Sequence, residues 1–149
     1  MTFTVGFSAV WLREWANYLP AQQTAVAGFL AIYKAHGLSD QTRYPGRIGN
    51  SWHGLPINDP QYVHAQNNHL YHYHIGYPRY AGGQLGPPAW GQTSEDLLHF
   101  QWIGNHIKLV ELSAHQVMGK FYIPTSQSLA DPLPSPPPIA DGIAADPGT

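Results

Sequence analysis

Three alternating segments constrain this chain more than any other feature. In His69-Leu70-Tyr71-His72-Tyr73-His74-Ile75, an extended backbone places Leu70, His72 and His74 on one side and Tyr71, Tyr73 and Ile75 on the other. Leu97-Leu98-His99-Phe100-Gln101-Trp102 repeats the pattern, with Leu98, Phe100 and Trp102 opposed to Leu97, His99 and Gln101. In His106-Ile107-Lys108-Leu109-Val110-Glu111-Leu112, Lys108, Val110 and Leu112 oppose Ile107, Leu109 and Glu111. Gly104-Asn105 between the last two segments predicts a hairpin-like turn. Strands of this kind build a sheet with two distinct faces, and His72, His74 and His99 are candidates for one of them.

The first third of the chain follows other periods. Phe3, Val5 and Phe7 alternate like a short extended piece, whereas Trp11, Trp15, Tyr18 and Leu19 recur at helical spacing, predicting a helix from about Ala9 to Tyr18. Pro20 suits the first turn of a second helix, where its missing N–H has no intrahelical use. Val26, Phe29, Leu30 and Tyr33 give that helix one apolar stripe, and Gly37 ends it. From Ser39 to Asn68, Pro45, Gly46, Gly49, Gly54, Pro56 and Pro60 predict a long loop, with short strands near Arg47–Ile48 or Tyr62–Ala65. Gly76–Thr93 is a second turn-rich excursion, and His115–Tyr122 is expected to form one or two helical turns with Gly119 as a weak point. The order of elements predicts a small α+β domain, with N-terminal helices packed on a small antiparallel sheet.

Composition matters most at the C-terminus. Pro132, Pro134, Pro136-Pro137-Pro138 and Pro147 among Ala, Gly, Asp and Ser read as an extended or disordered tail, dividing the chain into a domain over 1–128 and a proline-rich acidic tail over 129–149. The formal charge of −2 divides in the same place. From Leu129 onward there are three acids and no base, so residues 1–128 carry +1 together with all nine histidines. A nearly neutral body excludes a strongly basic nucleic-acid binder, and RNA contact would require a local patch from Arg43, Arg47, Arg79 and Lys120. The absence of Cys excludes disulfides, thiolate metal sites and cysteine nucleophiles. No leader-like N-terminus and no apolar run near membrane-spanning length is present, so a cytoplasmic protein with no membrane partner is expected.

His72 and His74, about 7 Å apart on one strand face, are the sharpest chemical signal. Antiparallel pairing would bring His99, and His115 after the third strand, to the same sheet surface or edge. Three chemistries can use such a cluster. A zinc hydrolase would take His72, His74 and either His99 or His115 as ligands and leave one position open. A metal-free ribonuclease would use histidines as base and acid, with Arg47 and Arg79 over the phosphate and Tyr80 beside Arg79 as a stacking surface. Nucleophilic hydrolysis is poorly served, because no serine lies in a Gly-x-Ser-x-Gly elbow. The glycines at 82, 83 and 86 form neither a dinucleotide fingerprint nor a P-loop, so no nucleotide cofactor is expected. Glu95-Asp96 reads as a strand-start or loop pair. A non-enzymatic alternative is a protein-binding module that recruits partners through the proline tail and an exposed strand edge.

The order Phe29-x-x-x-Tyr33-Lys34-x-x-Gly37, Gly46-Arg47, His72-x-His74, Thr93-Ser94-x-Asp96-x-Leu98, Leu109-x-Glu111 and His115 resembles the YafO-type mRNA interferase toxins of bacterial type II toxin–antitoxin systems, a group likened to the RelE/ParE-like toxins. The likeness spans about Ala25 to Lys120. It implies a compact α+β toxin that cleaves mRNA in association with the ribosome and is neutralised by a cognate antitoxin; a homodimer is compatible with it. By position, the His72/His74 strand, Thr93–Leu98, His115 and Arg47 match the pattern. The candidate catalytic residues are then His72, His74, His99 and His115, with Arg47, Arg79, Tyr80 and Lys120 for substrate and phosphate, and no metal or cofactor. The chain departs from the pattern in its acidic proline-rich end and its enlarged Gly76–Thr93 loop.

Overall fold

The computed structural model describes residues 2–82, 86 and 89–133. Strand β1 (Thr4–Phe7) leads into α1 (Ala9–Glu14) through Ser8, whose Oγ accepts the Trp11 N–H at 3.0 Å. The same buried hydroxyl donates to the Val110 carbonyl at 2.8 Å, so one side chain caps the helix and ties it to the sheet. The predicted first helix is α-helical only to Glu14 and continues as a 3-10 turn over Trp15–Asn17. Pro20 explains the break, because a residue before proline is pushed out of the helical region, and Leu19 is extended at ψ 150°. Helix α2 (Pro20–His36) then begins at that proline and ends at Gly37, whose φ of 70° suits a residue without Cβ. Its stripe buries Val26, Phe29 and Tyr33 against the sheet.

The main sheet has five strands in the order β1-β7-β6-β3-β2, formed by β2 (Ile48–Asn50), β3 (Leu70–His74), β6 (Asp96–Ile103) and β7 (His106–Ala114) with β1. The three alternating segments are its centre, and the side chains of β3 and β6 divide as expected. In β7 a bulge at Val110 reverses the expected alternation, so Leu112 packs with Ile107 and Leu109 in the larger core while Glu111 meets Tyr122 on the opposite face. Tyr73, Ile75, Leu98 and Phe100 join Val26, Phe29 and Tyr33 in the larger core, with Phe29 and Tyr73 ring centroids 4.6 Å apart. Leu70 and Val110 enter a second core on the opposite face with Ala65, Ile123 and Leu129. The sheet is mixed rather than antiparallel, because β1 pairs parallel with β7, from Thr4 opposite His106 to Phe7 opposite Leu109. A two-residue period fixes which way side chains point and carries no information about strand direction.

Two further expectations are corrected. Tyr62–Ala65 is not a strand but part of α3 (Pro60–Asn67), started by Asp59, whose carboxylate accepts the Gln61 N–H, and by Pro60 in the first turn. That cap was readable, but α3 buries only Ala65 and so shows little apolar periodicity. His115–Tyr122 is not helical. It holds a hairpin of β8 (Gln116–Val117) and β9 (Lys120–Phe121), turned by Met118 and Gly119 at φ 54° and 79°. Two consecutive left-handed residues build a tight hairpin turn and would stop a helix. The long excursion contributes β4 (Tyr80–Gly82) paired with β5 (Thr93–Ser94).

Residues 129–131, which composition groups with the tail, pack on the body. Leu129 is buried, Ala130 accepts the Ala9 N–H at 2.9 Å, and Asp131 pairs with Lys108 at 2.8 Å. The remainder of the proline-rich tail, from residue 134, lies outside the described residues.

Gly46 positions the start of β2 against β3. A Cβ there would land on the His74 carbonyl oxygen and within 2.8 Å of the Tyr73 ring. Gly46→Ala is therefore expected to cost about 2–3 kcal/mol by overpacking, seen as a lower urea midpoint with an unchanged slope. An unaltered midpoint would show that the backbone can step aside at no cost.

Candidate functional site

Strand β3 sets the His72 and His74 rings side by side, with centroids 5.8 Å apart. His115 arrives from the residue after β7, held by its backbone N–H to the Glu95 carbonyl at 2.6 Å, and its ring lies 5.7 Å from His74. Phe121, delivered by the β8–β9 hairpin, lies 5.1 Å from both the His72 and His115 rings. Two of the three imidazoles, those of His72 and His115, thus pack against one phenyl ring.

Two clefts open beside this group. The first, about 590 Å³, is lined by His74 and His115 with Arg47, Arg79 and Glu95 among its polar residues. The second, about 490 Å³, is lined by His72, His115, Arg47, Asn50, Ser51, His53 and Phe121, with Gly49 at the strand. Arg47 and His115 border both. The Arg47 backbone is clamped on two sides, with its carbonyl accepting the His74 N–H at 3.0 Å and its N–H donating to the Gln92 carbonyl at 2.9 Å.

Environment separates the four candidate histidines. His74 Nδ1 lies 2.9 Å from both the N–H and the carbonyl oxygen of Ser94. A neutral ring either accepts from the N–H or donates to the oxygen, according to its tautomer, and an imidazolium donates to the oxygen, so Nδ1 has a partner in every state. Burial lowers the His74 pKa, the Ser94 carbonyl opposes that shift, and His115 and Arg47 add to the lowering. His72 goes further. Its Nδ1 lies 3.0 Å from Ser51 Oγ, and burial, reinforced by the neighbouring imidazoles, brings its pKa down to about 3. A ring so hard to protonate stays neutral at pH 7 and is a poor proton carrier.

His99 faces His72 across the β3–β6 pair but lies in neither cleft. It is fully buried, with Nε2 2.7 Å from Ser113 Oγ, its ring 5.4 Å from Tyr122 and Nδ1 without a hydrogen-bond partner. Its pKa falls to about 3, first through burial and then through His115. Tyr80 is likewise turned inward, donating its hydroxyl to the His74 carbonyl at 3.1 Å. It props β3 instead of offering a stacking surface. Arg79 lines the first cleft, whereas Lys120 is exposed on β9 and lines neither. Arg43 pairs with Asp40 at 3.5 Å and also lines neither.

The structure adds Glu95 and His53, both unassigned by sequence reasoning. Glu95 lines the arginine cleft because β5 ends beside the His115 backbone. Its position before the β6 pattern was the available signal. His53 stands in the irregular stretch after β2, where no period marks a direction. Among the described residues, no group of three or more His, Cys, Asp or Glu side chains is disposed to hold a metal ion, so the zinc reading finds no ligand set there. Among the same residues, no helix is long and apolar enough to cross a membrane.

Fold and site together define a small mixed α/β protein with an imidazole- and guanidinium-lined groove on its sheet. Compared with known proteins, the chain matches no family model, no curated protein and no solved structure.

Proposed function

We propose that this protein is a metal-independent endoribonuclease. The observation that carries the reading is the His74–His115 pair, 5.7 Å apart in a cleft that Arg47 and Arg79 also line. RNA cleavage without a metal needs those parts and few others. A base removes the 2′-hydroxyl proton, the 2′-oxygen attacks phosphorus, and an acid protonates the departing 5′-oxygen. The bond formed closes a 2′,3′-cyclic phosphate and the bond broken frees a 5′-hydroxyl.

His74 takes the role of base in the tautomer that donates Nδ1–H to the Ser94 carbonyl, because burial disfavours its charged form. Its Nε2 then holds the lone pair that takes the proton, and the Ser94 oxygen stays bonded to the imidazolium that results. His115 takes the role of acid from the other side of the phosphate. Arg47 and Arg79 offset the charge that grows on the non-bridging oxygens. The ordered motifs add the biological setting: an mRNA interferase toxin acting at the ribosome in the cytoplasm, restrained by an antitoxin protein. Helices α1 and α2 on one face of the sheet are compatible with that reading, whereas α3 packs on the other face. The parallel β1–β7 pair departs from its antiparallel form.

The test is direct. Purified protein incubated with labelled RNA in EDTA is expected to yield fragments ending in a 2′,3′-cyclic phosphate, on ribosomes or free. Fragments ending in a 5′-phosphate, or cleavage abolished by EDTA, would overturn the mechanism. Growth arrest on expression, relieved by co-expressing the small reading frame next to the gene, tests the toxin setting.

A further inference from the structure

The second cleft differs in chemistry from the first, and the difference assigns it a ligand. We propose that it is a nucleobase subsite, holding a base next to the phosphate that sits between Arg47 and His115; this rests on the RNA-cleaving reading of the first cleft. Arg47 and His115 line both clefts, so a strand with its phosphate at that pair reaches the second cleft with the adjoining nucleoside.

The lining fits a base and not a second phosphate. Apart from the shared Arg47, no Asp, Glu, Lys or Arg among the described residues lines this cleft. Asn50, Ser51 and His72 supply it with uncharged polar groups. His72 is bonded through Nδ1 to Ser51, and its surroundings oppose protonation, so Nε2 offers a single uncharged hydrogen-bonding atom. The Asn50 side chain lines the cleft and its buried oxygen has no hydrogen-bond partner, an acceptor still open to an N–H donor. Phe121 supplies an aromatic wall. An aromatic ring beside neutral donors and acceptors recognises a flat, N–H-bearing heterocycle, whereas the two arginines of the first cleft suit an anion.

Gly49 keeps the subsite open. It pairs with His72 across β2–β3, and a Cβ added to it would lie 3.4 Å from His72 Nε2. That is ordinary contact, so a side chain there is compatible with the fold yet covers the atom the base would meet. Strand β2 is also a sheet edge, where valine is well suited to the backbone.

An uncleavable dinucleotide, adenylyl-adenosine with a 2′-deoxy 5′-residue, separates the contributions when titrated beside a backbone analogue of equal length without bases. Wild type is expected to bind the dinucleotide at least about tenfold more tightly, from the stacking of one base. Gly49→Val should bring the two affinities within about twofold while leaving the base-free analogue unaffected. In the wild type, His72 ring resonances should move with the dinucleotide and stay in place with the analogue, a readout independent of any variant. Equal affinities in the wild type, or unmoved His72 resonances, would overturn the subsite. Cleavage of RNA with no base-dependent binding removes the subsite alone. Base-dependent binding without cleavage removes the nuclease reading and leaves a nucleotide site. Neither binding nor cleavage removes both.

Discussion

Replacing His115 with alanine is expected to slow RNA cleavage by about 10²–10⁴-fold, the usual contribution of one positioned proton carrier. The loss should fall on kcat with KM little changed, because Arg47 and Arg79 remain to hold the phosphate. Stability should change little, since the described contacts of the His115 ring are with His74 and Phe121 and its backbone bonds to Glu95 and Tyr122 survive the substitution. His74→Ala should lose activity to a similar degree but also costs about 1–3 kcal/mol, because the Ser94 backbone loses its imidazole partner inside the protein. His72→Ala should behave differently, raising KM more than it lowers kcat. Single-turnover assays on folded variants decide the matter. A His115→Ala protein cleaving at the wild-type rate would remove His115 from the chemistry.

Acid should unfold this protein early, and the sign follows from the histidines. In the unfolded chain each takes up a proton near pH 6.5. In the folded protein His72 and His99 resist protonation until about pH 3, and the His74 pKa is lowered in the same direction. A depressed folded-state pKa contributes stability that is whole above the unfolded value and lost as pH falls. Between pH 6 and 4 the unfolded state therefore binds the extra protons. His72 and His99 together remove about 3 kcal/mol per pH unit, with His74 adding to the loss. Against a domain stability of about 5–15 kcal/mol, cooperative unfolding is expected between pH 5 and 4. Urea titrations at pH 7.5, 6 and 5 measure the slope. His99→Leu should reduce it by one histidine, and Ser113 keeps its hydrogen bond to the Ala114 carbonyl in that variant. A urea midpoint independent of pH from 7.5 to 5 would contradict the burial of these rings.

The site was partly legible in the sequence. His72 and His74 announced themselves by sharing a strand face, and His115, Arg47 and Arg79 do line the first cleft with His74. What the spacing concealed was the difference among the histidines. His99 has the same alternation as His72, yet a C-terminal segment carrying Tyr122 closes over it. Tyr80 sits beside Arg79 in the chain, but its hydroxyl turns back to His74 while Arg79 faces the cleft. Desolvation depends on what other segments cover, and no pattern within seven residues records that.

Local periodicity by itself determined helix α2, the three central strands and the two faces of β3 and β6. Those properties depend on steric preferences and apolar spacing within a few residues. Only the tertiary structure decided the parallel pairing of β1 with β7, the histidines that stay accessible, and the place where Arg47 meets His115. Each depends on contacts between segments far apart in the chain. The alternating histidines therefore marked the face on which chemistry could occur, and the packing of residues 115–130 over that face selected the groove.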